Sequence, residues 1–238
     1  MARMVLVHGA FGGAWQWEPV LPGLLLVGHE VEALDLPRDP GTSLDDCVDR
    51  VCEVLAAGPP AVLVGHSMGG MVITQAAART PEQVVALVYT CAFIPGDGES
   101  LLDLTHYPEA AGDLIQANLV VEGEPPMSTL SDAAAREAIY NCCTDEQAAW
   151  ALPRRGSQPV GPMAQPFAPQ PSTAEAFRAL PRRYVTTLQD RCIRPPLQRL
   201  MFERAGCDPV VEIDTDHAPY LSKTDELVGA LDRLASVS

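Results

Sequence analysis

At 238 residues and 47% hydrophobic, the chain can bury a sizeable core, in one domain or in two small ones. A formal net charge of −15 and a pI near 4.6 argue against a nucleic acid or an anionic membrane as partner, because the long-range field repels phosphates. The cysteines are odd in number, with no C-x-x-C pair and no metal-like spacing, which speaks against a disulfide framework and against a zinc site.

The first apolar run, in "MARMVLVHG", reads as a strand over 4–8 and is too short for the centre of a signal peptide. The segment 16–27 can hold a helix, and "EVEALD" (30–35) is the next strand. Ser43 reads as an N-cap before "LDDCVDRVCEVL", with acidic residues in the first turn and Gly58 at the end. The strand "AVLVG" (61–65), a helix over 68–79 and the strand "VVALVYT" (84–90) follow.

Between 96 and 178 the rhythm breaks. Helical patterns near 99–116 and 130–152 alternate with Pro-rich loops in "EGEPPMS" and "SQPVGPMAQPFAPQPS", and a segment this long is expected to be a functional insertion. The alternation then resumes with "RYVTTL" (183–188), a helix over 195–205, "PVVEID" (209–214) and a last helix over 223–236. Strands apolar on both faces suit a parallel sheet, so the fold class is α/β, a mostly parallel doubly wound sheet of about six strands. One domain is expected, its core formed by 1–95 and 179–238 and its mainly helical cap by 96–178. No stretch reaches the ~20 apolar residues of a membrane span, and a soluble, cytoplasmic protein without a membrane partner is expected, with a homodimer possible in principle. Vicinal Cys142 and Cys143 read as packing residues.

Gly65-His66-Ser67-Met68-Gly69 fits G-x-S-x-G, with a strand before it and a helix after it. That context presents a serine on a sharp turn beside a helix N-terminus, as a nucleophile requires. A serine needs a base, and the base needs an acid that fixes its tautomer. His217, in "DTDHAPYLSK" after the last strand, stands where the base belongs, whereas His8, His29 and His66 read as structural and His106 as an exposed residue of the insertion. Asp190, just after the penultimate strand, is the expected acid. Asp214 and Asp216 are too near His217 in sequence, and Asp208 precedes its strand. Two backbone amides should receive the oxyanion, that of Met68 after the nucleophile and that of Ala10 in the loop "HGAFGGAWQW". This loop lacks the spacing and the lysine of a phosphate cradle, and Trp15 and Trp17 read as packing residues. Phe11, Met127, Leu130, Trp150, Leu152 and Phe167 are candidates for the substrate pocket.

Taken together, "VLVHGAFGGAWQW", "VGHSMGG", "YNCCTDEQAAWAL", "LQDRCIRPPLQRLM" and "DHAPYLSK" resemble the α/β-hydrolase superfamily, in the group of plant methyl esterases, hydroxynitrile lyases and bacterial esterases. The resemblance covers nearly the whole chain. It implies Ser67 as nucleophile, Asp190 as acid, His217 as base and the Ala10 and Met68 amides as oxyanion hole, with no metal and no organic cofactor. In the lyase branch a threonine follows the first-strand histidine, the elbow reads G-E-S-C-G and a lysine follows the catalytic histidine. Here those places hold Gly9, His66 with Met68, and Ala218. The reading reached is a serine esterase acting on an ester of a small, largely apolar acid. A triad-dependent tailoring enzyme (thioesterase, lactonase or cyclase), a hydroxynitrile lyase and a non-catalytic ligand receptor are the competing readings.

Overall fold

The computed structural model describes residues 1–236. In chain order, β1 (Arg3–Val7), α1 (Leu21–Leu26), β2 (Glu30–Leu34), α2 (Leu44–Ala56), β3 (Ala61–His66), α3 (Gly69–Arg79) and β4 (Val84–Thr90) form the first half. Then come α4 (Leu101–Thr105), α5 (Leu114–Asn118), β5 (Val120–Glu122), β6 (Met127–Thr129), α6 (Asp132–Ala138), α7 (Asp145–Ala151), β7 (Gln158–Pro159), α8 (Gly161–Ala164) and α9 (Ala174–Ala179). The chain closes with β8 (Arg182–Thr187), α10 (Pro195–Arg204), β9 (Val210–Ile213), α11 (Pro219–Ser222) and α12 (Thr224–Ser236).

Six parallel strands pair in the order β2-β1-β3-β4-β8-β9, the expected sheet. All six residues of β3 are buried, and β1, β4 and β8 are nearly so, because helices cover both of their faces. β2 and β9 are the edges, and more of their residues reach the surface. Ser43 caps α2 by accepting from the Asp46 amide at 3.2 Å, while the Asp46 carboxylate accepts from the Ser43 amide at 2.7 Å. Leu44, Val48, Val51 and Leu55 line one face of α2 and are fully enclosed. Each such side chain stabilises the fold by about 1.5–3 kcal/mol relative to exposure. An Asp at Val51 would place a charge in that seam with no partner.

One expectation differs from the structure. The helical pattern over 99–116 is interrupted: α4 ends at Thr105, Pro108 opens a short 3₁₀ turn, and Gly112 adopts φ +87° before α5. The segment between β4 and β8 is mainly helical, and β5, β6 and β7 add a small antiparallel sheet to it. Strands of two or three residues leave no readable alternation in the sequence. The Pro-rich stretch is tied to the core. Gln165 accepts from the Leu44 amide at 3.0 Å and donates to Asp45 at 2.7 Å, and Ala168 exchanges hydrogen bonds with the Gln75 side chain at 2.9 and 3.1 Å. Among the described residues, no helix is long and apolar enough to cross a membrane.

Candidate active site

Ser67 is the single residue between the end of the central strand β3 and Met68, which precedes α3, and its φ is +54°. A non-glycine residue there is strained by about 1–3 kcal/mol, so the surroundings must hold it. The Ser67 carbonyl accepts from the Gly70 and Phe93 amides at 3.0 and 3.1 Å, and its own amide points to the Thr90 carbonyl at 3.4 Å. The glycines of the motif serve close approach. A Cβ on Gly69 would lie 2.6 Å from the Val7 carbonyl oxygen, and one on Gly70 would lie 2.1 Å from that of Phe93.

β8 and β9 deliver the other two groups. Asp190 Oδ2 accepts from His217 Nδ1 at 2.7 Å, and both side chains are buried. The same oxygen accepts from Thr187 Oγ1 at 2.9 Å and Gln198 Nε2 at 3.1 Å, while Oδ1 accepts from the Cys192 and Ile193 amides at 2.8 and 2.9 Å. Both oxygens are thus fixed by donors, and the bond to Nδ1 leaves His217 Nε2 as the free ring nitrogen. His217 and Ser67 line one cavity, although no hydrogen bond joins their side chains among the described residues. Such bonds often tighten only when substrate is bound.

Ala10 and Met68 line the same cavity. Their amides take no protein hydrogen bond among the described residues, as donors reserved for a ligand would. The Ala10 loop is braced on every side. Gly9 donates to Gln16 Oε1 at 3.1 Å, Arg38 donates to the Gly12 carbonyl at 2.7 Å, and Gly156 donates to the Phe11 carbonyl at 3.0 Å. Phe11 itself is held at φ +62°.

His106 is exposed, and His8, His29 and His66 are held in structural hydrogen bonds. His66 Nε2 donates to the His217 carbonyl at 2.8 Å, its ring 4.7 Å from that of His217, and burial holds its pKa well below the usual value. His8 accepts from the Leu36 amide at 3.1 Å and faces the Gly9 carbonyl at 2.8 Å, with burial lowering its pKa to about 4. His29 bridges the Ala2 amide and Asp232. Asp216 has a use the sequence did not reveal: its Oδ2 accepts from the Cys142 and Cys143 amides at 2.7 and 3.1 Å, and its Oδ1 from Ser222 Oγ at 2.8 Å and the Ala218 amide at 3.1 Å.

The donor atoms of His66, Cys91 and His217, and those of Asp190, Cys192 and His217, each lie within 4.8 Å of one another. They suit a metal poorly. His217 Nδ1 is engaged by Asp190 and His66 Nε2 by a carbonyl, and burial pushes the Cys91 and Cys192 thiols well above their usual pKa, toward the protonated form. All cysteines are free, and Cys143 is buried.

Of the six pocket candidates, only Phe11 lines the cavity. Trp150 packs edge-on against Trp15, ring centroids 5.6 Å apart, under the Arg154 guanidinium. Phe167 packs on Phe177, Leu130 is buried, Leu152 sits partly buried on the core, and Met127 lies in β6. The walls come instead from Leu101, Ile115, Leu119, Ile139, Met163 and Ile193, with Gln16, Thr105, Gln116 and Asp113 as polar members. Asp113 was missed because a continuous helix over 99–116 would have placed it on an ordinary helical face. The break at Gly112 turns it into the N-cap of α5, where Oδ1 accepts from the Ile115 and Gln116 amides at 2.6 and 3.3 Å.

Comparison with known proteins fits this geometry. The chain is 29% identical to "Salicylic acid-binding protein 2" of Nicotiana tabacum, over 98% of this chain and 96% of that one. It is 31% identical to "Polyneuridine aldehyde esterase" of Rauvolfia serpentina (96% and 94%) and 28% identical to "Alpha-hydroxynitrile lyase" of Arabidopsis thaliana (98% and 97%). A crystal structure of polyneuridine aldehyde esterase superposes with a TM-score of 0.85 at 25% identity, covering 99% of this chain and 100% of the other. The model of the alpha/beta hydrolase family matches residues 4–230, and the chain belongs to that family.

Proposed function

We propose that the protein hydrolyses carboxylic esters of small, largely apolar acids through an acyl-enzyme on Ser67. The observation that carries this reading is the buried 2.7 Å hydrogen bond from His217 Nδ1 to Asp190, in a cavity shared with Ser67 on its strained turn. The esterases among the relatives support the same reaction class.

In this reading His217 Nε2 takes the Ser67 hydroxyl proton as Oγ attacks the ester carbonyl. Asp190 fixes the ring and stabilises its charge. The oxyanion falls between the Ala10 and Met68 amides, each such donor stabilising the transition state by about 2.7–4 kcal/mol. His217 then protonates the departing alcohol, and a water deprotonated by His217 releases the acid. Residues 96–178 act as the cap that walls the cavity and excludes bulk water. The position directly after His217 holds Ala218 and not a lysine that would stabilise a cyanide leaving group, and the Ala218 amide is taken by Asp216, so ester cleavage fits better than cyanohydrin cleavage. Ser67→Ala should abolish hydrolysis of 4-nitrophenyl butyrate while leaving the circular-dichroism spectrum unchanged. Retained turnover would reject Ser67 as nucleophile.

A further inference from the structure

We propose that Asp113 makes the cavity selective for esters that carry a positive charge, a quaternary ammonium or protonated amine, on the arm lying against α5. The inference rests on the esterase reading for the word ester, but not for the cation.

Asp113 lines the cavity from the turn before α5 and is the one carboxylate among the described residues that line it. Its Oδ1 is committed to the Ile115 and Gln116 amides, whereas Oδ2 takes no hydrogen bond among the described residues. The rest of the lining is mostly apolar, with Leu101, Ile115, Leu119, Ile139 and Ile193, and holds the uncharged polar Thr105 and Gln116 besides. Two charged or titratable groups of the reaction centre act on it, His217 and Asp190, of which Asp190 repels it and His217 is already paired to Asp190. Arg194 lies beyond Gly112, its guanidinium 4.0 Å from where a Cβ on that glycine would stand, and forms no ion pair with Asp113 among the described residues.

Asp113 is half-buried and has no countercharge at Oδ2, which makes its carboxylate harder to keep ionised, and partial desolvation accordingly raises its pKa to about 6. At neutral pH it is nevertheless mainly charged. A ligand cation supplies the missing countercharge in surroundings that screen it less than water does, whereas an anionic arm meets repulsion. The net charge of −15 adds a field that concentrates cations, acting in the same direction.

The test uses matched ligands of the same shape. Two non-hydrolysable amides, N-methyl-4-(trimethylammonio)butanamide and its carbon isostere N,5,5-trimethylhexanamide, are titrated calorimetrically into the wild-type protein and into Asp113→Asn. The asparagine keeps an oxygen for the Ile115 and Gln116 amides and removes only the charge. The expected result is about tenfold tighter binding of the cation by the wild type, a preference lost in Asp113→Asn while the isostere binds equally to both. Equal binding of the two amides by the wild type, or a preference that survives in Asp113→Asn, overturns the proposal. The corresponding 4-nitrophenyl esters separate it from the enzymatic reading. Cation preference without Ser67-dependent hydrolysis sinks the esterase and keeps the site, whereas an equal fall in kcat on both esters in Asp113→Asn assigns Asp113 to the His217 imidazolium instead.

Discussion

Asp216 Oδ2 lies 2.7 Å from the Cys142 amide, so the residue just before His217 is the anchor of the turn between α6 and α7. With Oδ1 occupied by Ser222 and Ala218, this one buried carboxylate joins the stretch 216–222 to Cys142 and Cys143. Replacing it with Ala leaves the Cys142 and Cys143 amides without an acceptor, each at a cost of about 1–3 kcal/mol. Asp216→Ala should lower the melting temperature by roughly 5–15 °C and reduce kcat through loosening of the His217 loop. An unchanged melting curve would show that water replaces the carboxylate without penalty.

Removing the charge of Asp190 tests its assignment more directly. In Asp190→Asn the amide offers a donor toward His217 Nδ1 and favours the wrong ring tautomer. We expect kcat on 4-nitrophenyl butyrate to fall by about 10⁴-fold. KM should stay near the wild-type value, since the cavity walls are untouched. A drop of less than tenfold would mean that another group orients the base.

Gly70 is the position where sequence and backbone are most tightly bound. Its missing Cβ would stand 2.1 Å from the Phe93 carbonyl oxygen, which is backbone and cannot swing aside. Gly70→Ala should therefore displace the start of α3 from Phe93, and with it the Ser67 carbonyl that accepts from both residues. Stability should fall by about 1–3 kcal/mol, and turnover should fall by more than stability alone explains. Urea unfolding and kcat at a temperature where the variant is fully folded separate the two effects.

The acid limb of the stability profile follows from two buried histidines and one half-buried carboxyl. His8 has its pKa lowered from 6.5 to about 4 by burial, so the unfolded chain binds the extra proton first and stability is lost as pH falls through that window. For His8 alone this amounts to roughly 3 kcal/mol. His66, lowered for the same reason, acts in the same direction. Asp113 opposes them, because its pKa is raised from 3.8 to about 6 and its contribution is lost as pH rises through that range. Two histidines outweigh one carboxyl, and the melting temperature should drop between pH 7 and pH 4.5. In Asp113→Asn the opposing contribution is gone, so the same drop should be steeper; an equal or shallower drop would contradict the assignment.

The parallel sheet was legible because its central strands are apolar on both faces, from β3 outward, and Gly, Pro or Ser marks many of their ends. Ser67, Asp190 and His217 were legible because each sits at the carboxyl end of a strand that could be placed. The cavity walls were not. Met127, Trp150 and Phe167 are large and apolar, yet size alone does not say whether a side chain faces a ligand or another ring. Ile115 and Asp113 owe their positions to a helix break whose only local marks are Pro108 and Gly112, and Asp216 gains its role through contacts over seventy residues distant in sequence.

The hydrogen bond from Gly156 to the Phe11 carbonyl fastens the segment between β4 and β8 to the loop after β1. Arg38 sits in the same joint, holding the Gly12 carbonyl while lying 3.0 Å from where a Cβ on Gly156 would be. A segment fastened to the loop that carries the Ala10 amide is not an interchangeable specificity module. Under the proposed esterase reading, grafting it from a relative would retune the rate of the chemical step together with the choice of substrate.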